Sequence, residues 1–312
     1  MKILTHSERF HCDEVFASAL LKYLFEIEEI IRTRDKTLIL EAQQDKDIFV
    51  VDVGEKYEVE MNNFDHHQTS FEDTFNEKQW IKMSSCGLIW KHFGEDIIFK
   101  FAQEEFNMEL DDEEIKNMWG KIYQLLFLCI DANDNGIKQY KNIKDLNFKN
   151  SNTIYDVIAS YNRDVKDDEQ QLIQFKRAME IAFETFYNKI HYLIAEKALY
   201  DKFLPDFLKA LDEAEGKDYL FVEDDDVMVE KYLNDFDKEK KIKFMIAKRY
   251  DEHYRIYTRK KMNGSFEIEK PLITQQNAKV LVKDDLIFIH KIGFVGATKT
   301  FESAVKIVEA SI

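Results

Sequence analysis

The chain has 312 residues, of which 45% are hydrophobic and 33% are charged, and its formal net charge is −16. This length is about right for two domains with substantial cores. The negative charge argues against a protein that binds long duplexes through a positively charged surface. It does not exclude a nucleic-acid substrate, because divalent cations can supply positive charge where a phosphate binds.

Short runs of aliphatic and β-branched residues near the N-terminus predict buried strands, and one longer apolar stretch predicts a helix. The strands are expected at 2–5, 37–40 and 48–53, and the helix at 13–25. Strands that alternate with a helix indicate a parallel α/β sheet, in which ligands bind beyond the carboxyl ends of the strands. His6, Asp52 and Asp65 are expected at that edge.

The middle of the chain has a helical pattern. Ser84 or Ser85 is expected to cap a helix, and a second apolar helix is expected from Met118 to Ile130. A long charged helix at 167–200, which has neither Gly nor Pro, could link two domains.

Pro205 and Gly216 mark the predicted boundary zone, so we expect a catalytic domain at 1–200 and a smaller α/β domain at 201–312, with a cleft between them. Strands are expected in the second domain at 219–222, 241–246, 254–257 and 286–289, followed by a last helix at 300–310. Asn263-Gly264 is typical of a hairpin turn.

The cellular location is expected to be intracellular, most simply the cytoplasm. No apolar run is long enough to cross a bilayer, and the apolar start before His6 is too short for a secretory signal. Three scattered cysteines without a CxxC pair argue against a disulfide scaffold and a zinc–cysteine site.

Four segments carry residue types that bind metals. They are His6-x4-His11-Cys12-Asp13-Glu14, Val51-Asp52-Val53-Gly54, Phe64-Asp65-His66-His67-Gln68 and Asp131-Ala132-Asn133-Asp134-Asn135-Gly136. Imidazole and carboxylate without thiolate suit Mn²⁺, Fe²⁺, Co²⁺ or Zn²⁺. Two such cations can hold a phosphate between them and activate water for hydrolysis.

Each segment alone has an ordinary explanation. A His-His pair can be surface, His6 can be a polar residue at a strand end, and Asp52 before Gly54 can begin a turn. Asp134-Asn135-Gly136 can end a helix. Their combination and order favour a metal site over four unrelated features.

In this order, and with Ser84-Ser85-x-Gly87, the segments resemble the Myg exonuclease family (melanocyte-proliferating-gene proteins). That family is a branch of the DHH phosphoesterase superfamily, which also includes RecJ exonucleases and family II pyrophosphatases. The likeness runs along nearly the whole chain and implies a DHH-type N-terminal domain. It ends in His290-x2-Gly293-Phe294-x-Gly296-x2-Lys299-Thr300, which is similar to the family's C-terminal signature.

The resemblance implies a role for each residue of the metal site. His6 and His11 would bind the first metal, Asp13 and His66 the second, and Asp52 and Asp131 both. His67 would face the phosphate as a hydrogen-bond donor or general acid, and Asp65 would orient one of the imidazoles. Asp134, Ser84 and Ser85 would support the ligands, with Asp131 preferred over Asp134 as the ligand.

The resemblance also implies a substrate-binding segment near the C-terminus. His290 and Lys299 would bind a phosphate, and Gly293 and Gly296 would let the backbone approach it. A glycine-rich turn with an exposed lysine is the alternative. Ala297 and Phe301 stand where the family usually has glycine and arginine, which leaves the fine substrate preference open.

The predicted function is therefore metal-dependent hydrolysis of phosphodiester bonds with two divalent cations. Mn²⁺ is preferred, with Mg²⁺, Co²⁺, Fe²⁺ and Zn²⁺ as alternatives. The expected substrate is short single-stranded RNA or DNA, degraded from 3′ to 5′. A small phosphate compound, such as pyrophosphate, a phosphoadenosine phosphate or a cyclic dinucleotide, is the enzymatic alternative, and a metal-stabilised binding protein is the non-catalytic one. A homodimer is compatible with the sequence.

Overall fold

A computed structural model describes residues 1–142, 144, 148, 152–162, 167–224, 229–261 and 267–312 of the chain. The chain divides into two compact units, Met1–Ile194 and Ala195–Ile312. The cleft expected between two domains stays a prediction.

The first unit is built on a mixed sheet whose strands are short and mostly parallel. Its strands are β1 (Lys2–Thr5), β2 (Glu29–Arg32), β3 (Ile48–Val51), β4 (Tyr57–Glu58) and β5 (Asn63–Phe64). They lie in the order β2-β1-β3-β5-β4, and only β4 runs antiparallel to its neighbour. The central strands β1, β3 and β5 therefore end at the same edge, as the sequence predicted.

Helices pack around this sheet and bury its hydrophobic residues, and the last of these helices continues past Ile194 into the second unit. They are α1 (Cys12–Leu24), α2 (Lys36–Ala42), α3 (Ser85–Phe106), α4 (Asp112–Ile122), α5 (Leu128–Asp134), α6 (Ile154–Ala159) and α7 (Asp168–Glu213). A π-helical turn, Tyr123–Phe127, joins α4 to α5. One core joins the sheet to α1 and α3, with Phe16, Phe49 and Trp90 almost fully buried, and this core fixes the helix ends that reach the site.

The second unit contains its own five-stranded sheet. Its elements are β6 (Tyr219–Val222), α8 (Val229–Phe236), β7 (Phe244–Lys248), β8 (Tyr254–Thr258), α9 (Gln275–Val282), β9 (Leu286–Ile289), β10 (Val295–Thr298) and α10 (Phe301–Glu309). The strand order is β6-β7-β8-β10-β9, with β6 and β7 parallel and the other pairs antiparallel. The two-unit α/β fold class predicted from the sequence is confirmed.

Several local predictions were wrong. Residues 37–40 form part of helix α2 and not a strand, because Asp35 accepts hydrogen bonds from the backbone N–H groups of Thr37 and Leu38 and so caps a helix. The long helix α7 continues through Pro205, so this proline does not mark a boundary. The predicted turn at Asn263-Gly264 lies outside the described residues.

Within the part of the chain that the structure describes, no helix combines the length and the apolar character that crossing a membrane requires.

Candidate metal centre

The ends of the three central strands bring the first site residues together. His6 follows β1, Asp52 follows β3 and Asp65 follows β5. Asp52 adopts a left-handed backbone conformation (φ 57°), which few residue types other than Asn, Asp and Gly adopt readily. All three side chains are buried, so this edge of the sheet is lined by buried polar groups.

The first turn of α1 adds more polar groups. Asp13 and Glu14 are fully buried there. The Glu14 carboxylate accepts the backbone N–H of His11 at 2.8 and 3.0 Å, which caps the helix. Acidic residues in a first turn also match the helix dipole. The helix start therefore holds His11, Asp13 and Glu14 beside the strand ends.

The carboxylate of Asp52 lies between two imidazoles. Its Oδ2 is 3.4 Å from Nε2 of His6, and its Oδ1 is 3.3 Å from Nε2 of His66. The same nitrogen of His6 is 3.1 Å from Oε1 of Glu14. The same nitrogen of His66 is 3.1 Å from Oδ2 of Asp134. Asp52 is thus the residue that joins the two halves of the cluster.

Asp65 orients His67 and not His66. One carboxylate oxygen accepts the backbone N–H groups of His66 and His67, at 2.8 and 3.2 Å, and lies 2.7 Å from Nδ1 of His67. The other oxygen accepts the backbone N–H of Glu55 at 2.6 Å. Because Asp65 is already surrounded by these partners, it holds the half-exposed imidazole of His67 in place.

The imidazole of His6 is held with its Nε2 atom facing the carboxylates. Its Nδ1 atom lies 2.8 Å from the backbone oxygen of Ser7. A carbonyl oxygen only accepts hydrogen bonds, so this contact places a proton on Nδ1. In the neutral ring, Nε2 then carries a lone pair, which is the form that binds a metal.

The carboxylates attract positive charge strongly. Burial alone would lower the pKa of His6, but Asp52 and Glu14 outweigh it and raise this pKa to about 10. For His66, burial is likewise outweighed by Asp134 and Asp52, and the pKa rises to about 10. Burial and the charge of Asp52 raise the pKa of Asp13 well above its usual range. In the absence of metal, protons on His6, His66 and Asp13 therefore offset part of the negative charge of the cluster.

Asp131 is buried away from these imidazoles and is surrounded by hydrogen-bond donors. Its Oδ1 accepts the backbone N–H of Ser84 at 3.0 Å and the Ser84 hydroxyl at 2.7 Å. Its Oδ2 accepts the hydroxyl of Tyr123 at 2.8 Å. A Cβ atom at Gly87 would lie 2.4 Å from that oxygen, so glycine is needed there. The sequence analysis preferred Asp131 over Asp134 as a ligand; the carboxylate that approaches His66 is that of Asp134, and the choice between the two stays a prediction.

The N-terminus of α3 connects Asp131 to the cluster. Ser84 precedes the first residue of the helix, as one of the two predicted caps. The next residue, Ser85, donates its backbone N–H to Asp13 and its hydroxyl to Asp52, both at 3.3 Å. Asp131 thus positions the end of a helix that contacts two carboxylates of the cluster.

The donor set fits divalent cations. Nε2 of His6, Nε2 of His66 and Oδ1 of Asp13 are buried and make no hydrogen bond with the described residues. Leaving such groups unpaired is costly unless a ligand compensates.

Three groups of side chains have ligand atoms that lie within 4.8 Å of one another: His6, His11, Glu14 and Asp52; Asp52, Asp65, His66 and His67; and His11, Asp13 and Asp134. Asp52 and His11 each belong to two of these groups, so the geometry is compatible with more than one ion.

Sequence reasoning missed Arg34 and Lys36 near this cluster, named Glu14 without giving it a role, and expected Asp134 only to support the ligands. Glu14 and Asp134 approach the imidazoles, as described above. Arg34 and Lys36 line a cavity of about 490 Å³ together with His6, Asp52 and His67. Arg34 follows β2, a strand that the sequence analysis did not predict, so no sequence signal placed it at the same sheet edge.

The predicted substrate-binding residues lie in the second unit, around β10. His290 follows β9, and Lys299 is exposed between β10 and α10. Gly296 lies within β10, a strand that the sequence analysis did not predict, and a Cβ there would come within 2.4 Å of the Ile289 side chain. At Gly293 (φ 74°) a Cβ would approach the backbone of Leu272 at 2.9 Å. Packing within the unit therefore accounts for both glycines.

The chain is similar to known proteins along its whole length. The model of the MYG1_exonuc family, described as an uncharacterised protein family (UPF0160), matches residues 2–312. MYG1 protein C694.04c of Schizosaccharomyces pombe is 30% identical, over 100% of this chain and 97% of that protein. MYG1 exonuclease of Homo sapiens is 29% identical, over 100% of this chain and 85% of that protein.

One solved structure that aligns with the chain is the pGpG-specific phosphodiesterase PggH of Vibrio cholerae. It is 12% identical, with 99% of this chain and 96% of that chain covered, and the TM-score is 0.29. A TM-score this low carries no argument about the chain.

Proposed function

The chain belongs to the MYG1_exonuc family, and on that premise we propose that it is a metal-dependent phosphoesterase that removes nucleotides from the 3′ end of short single-stranded RNA or DNA. The observation that carries this proposal is the pair of buried imidazole nitrogens, Nε2 of His6 and Nε2 of His66, which face the Asp52 carboxylate from either side, each with a further carboxylate 3.1 Å away. The name exonuclease, given to the relative in Homo sapiens, supports a nucleic-acid substrate.

Two cations are proposed to share Asp52. His6 and His11 would hold the first, with Glu14 close enough to contribute. Asp13, His66 and Asp134 would hold the second, since Nε2 of His66 is 3.1 Å from Asp134 and 3.9 Å from Asp13. Mn²⁺ is the proposed ion, because it accepts both imidazole and carboxylate ligands. When bound, the ions supply charge stabilisation for the phosphate and activation of water.

His67 is proposed to donate a proton or a hydrogen bond to the phosphoryl group. The hydrogen bond to Asp65 is the largest influence on its pKa, which it raises despite burial. Because Nδ1 faces Asp65, the proton available for donation is on Nε2 of a half-exposed ring that lines the cavity. A raised pKa favours the protonated form of the imidazole, which suits a general acid.

Asp131 and Ser84 are proposed to position the ligands. Asp131 fixes Ser84, and Ser84 leads into Ser85, whose backbone and hydroxyl contact Asp13 and Asp52. Groups that orient metal ligands in this way commonly change metal affinity or activity by about 10- to 100-fold when they are removed.

The proposal is tested with purified protein, Mn²⁺ and an oligonucleotide labelled at its 5′ end, so that removal of nucleotides from the 3′ end gives a ladder of shortened labelled products. We expect the rate of Asp52→Asn to fall roughly a thousandfold or more, because the variant loses the carboxylate shared by both ions. Asp47→Asn is the matched control, since Asp47 lies just before the same strand and is exposed. Equal rates for the wild type and Asp52→Asn would refute the proposed site.

The same assay separates the alternatives. Pyrophosphate, a phosphoadenosine phosphate and a cyclic dinucleotide are offered in parallel with the oligonucleotide. Faster turnover of one of these compounds would assign the site to a small substrate. Metal-dependent melting without turnover of any phosphate ester would instead indicate a binding protein.

A further inference from the structure

The cavity of about 490 Å³ beside the cluster has a second set of lining residues, which the proposed chemistry does not use. Helix α2 and the segment before it contribute Arg34, Lys36, Ile39, Leu40 and Gln43. We propose that this part of the first unit binds the terminal nucleotide of the substrate, with Arg34 and Lys36 contacting its phosphate. The inference rests on the proposed function, because it names a binding site for the same reaction.

The guanidinium of Arg34 makes only weak contacts with its neighbours, so it retains N–H groups that can donate hydrogen bonds to a ligand. Its Nη2 atom is 3.2 Å from Nδ1 of His6, but that nitrogen carries a proton directed at the oxygen of Ser7 and cannot also accept one. Its Nε atom lies 3.6 Å from a carboxylate oxygen of Glu8, in a pair whose side chains are 54% and 77% exposed. Exposed pairs of this kind contribute little. The guanidinium is therefore free to bind a phosphate, which matches its fork of donors.

Lys36 occupies a position that does not favour the helix. It is the first residue of α2, where the helix dipole disfavours a cation. Its side chain is exposed and makes no ion pair or hydrogen bond with another described residue. Lys36 lines the same cavity as Arg34, so its ammonium is available to an anionic ligand there.

The rest of the lining suits the sugar and base of a nucleotide. Leu40 is 63% exposed although it lines a concave site, and the buried Ile39 and Val53 lie beside it. The side chain of Gln43 donates a hydrogen bond to the backbone oxygen of Gly54 at 2.8 Å, which joins the two segments that line this side of the cavity. A volume of about 490 Å³ falls within the usual range for a small-molecule site.

Three carboxylates also line the cavity, on Asp52, Asp65 and Glu55. The proposed ligand is an anion, so these charges must be neutralised before it binds. Asp65 is already surrounded by hydrogen-bond donors, and Asp52 is a proposed metal ligand. We therefore expect nucleotide binding in this cavity to require the divalent cation.

Isothermal titration measures the site without turnover, with adenosine 5′-monophosphate as the probe in the presence of Mn²⁺. We expect Arg34→Gln and Lys36→Gln each to weaken binding roughly tenfold, the size of one lost charged hydrogen bond. Lys46→Gln, an exposed lysine in the loop after α2, should bind like the wild type. Adenosine, which lacks the phosphate, should bind the wild type, Arg34→Gln and Lys36→Gln equally.

The outcomes separate this inference from the proposed function. In hydrolysis assays, Arg34→Gln and Lys36→Gln should raise KM for the oligonucleotide by about tenfold and leave kcat within about twofold, because the contact is present in the substrate as well as in the transition state. Hydrolysis with unchanged nucleotide binding and unchanged KM in both variants would overturn the nucleotide site alone. Nucleotide binding that depends on Arg34, without hydrolysis, would support the site and refute the proposed function. A wild type that binds no nucleotide with Mn²⁺ would overturn the inference.

Discussion

The strand ends of the first unit and the β9–β10 segment of the second unit both carry residues that resemble a family motif, yet their environments differ. At the strand ends, Nε2 of His6, Nε2 of His66 and Oδ1 of Asp13 are buried without a hydrogen-bond partner among the described residues. In the β9–β10 segment, the space beside Gly293 and Gly296 is already filled by Leu272 and Ile289. One region retains unsatisfied polar atoms, and the other is explained by packing.

This difference shows which motif residues call for a ligand. An unpaired buried polar group costs about 1–3 kcal/mol, and in the metal-free protein the cost at His6 and His66 is offset only by protons that the nearby carboxylates retain on the rings. Cation binding would offset it, since metal binding to a preformed site adds to folding free energy. Glycine in a tight packing position needs no such explanation, because a larger side chain would simply clash.

Asp131 and Asp134 allow the sharpest test of this distinction, because they lie three residues apart at the end of one helix. We expect Asp134→Ala to weaken Mn²⁺ binding by roughly 100-fold or more, since it removes a proposed ligand of the second ion. Asp131→Ala should instead destabilise the protein by about 2–4 kcal/mol, because it leaves Ser84 and Tyr123 without their acceptor. Mn²⁺ titration and urea unfolding of the metal-free protein measure the two effects.

Asp134→Asn and Asp131→Asn serve as size-matched companions to these variants. Each retains an acceptor oxygen, so Asp131→Asn should recover much of the lost stability, whereas Asp134→Asn should remain defective in metal binding because the charge is gone. If Asp131→Ala loses metal affinity without losing stability, Asp131 is a direct ligand and the assignment made from the geometry is wrong.

The sequence was sufficient to predict the sheet edge. Aliphatic runs followed by polar residues placed His6 and Asp52 at the ends of parallel strands, and Asp65 was expected at the same edge although no strand was predicted before it; the structure has all three residues there. Charged Glu29–Arg32 carried no such pattern, so β2 and the neighbouring Arg34 were missed. The choice between Asp131 and Asp134 could not be made from sequence, because it depends on which carboxylate meets the N-terminus of α3, a contact between residues 47 positions apart.

Short segments were the other source of error. Residues 37–40 are as aliphatic as a strand, but Asp35 caps them as a helix. Val295–Thr298 has a glycine and an alanine between its two β-branched residues, a weak strand pattern, yet it pairs with a strand on each side, since β8 and β9 flank it. In both cases a local contact or tertiary pairing decided the structure, and intrinsic preference did not.

The pH dependence of the metal-free protein sharpens the comparison further. The folded pKa values of His6 and His66 are raised to about 10 from 6.5, so their contribution to stability is complete below about pH 6.5 and is lost as the pH rises towards 10. We expect the free energy of unfolding to fall by several kcal/mol across this window, on the order of 4 kcal/mol for each histidine. Urea unfolding in the presence of EDTA, at intervals from pH 6 to pH 10, measures it.

Cation binding should show the opposite trend, because the ion displaces these protons. Affinity for Mn²⁺ should therefore rise over the same pH window. His66→Asn should flatten both profiles, while His253→Asn, a partly exposed histidine of the second unit, should leave both unchanged. A pH-independent affinity would show that the imidazoles do not bind the ion.

Gly296→Ala tests the other half of the comparison and should have the smallest effect. The added methyl would lie 2.4 Å from the Ile289 side chain and 3.3 Å from the backbone oxygen of Phe288, so β10 and β9 must shift slightly to accept it. We expect a loss of about 1–3 kcal/mol in the free energy of unfolding, with Mn²⁺ binding unchanged, because the proposed ligands all belong to the first unit. Lys299→Gln is the companion variant: it changes the charge and leaves the packing intact. The contrary outcome is that Gly296→Ala retains full stability while Gly296→Ala and Lys299→Gln both raise KM for the oligonucleotide. The backbone of β10 would then approach the substrate, as the family resemblance implies, and packing would not explain the glycine.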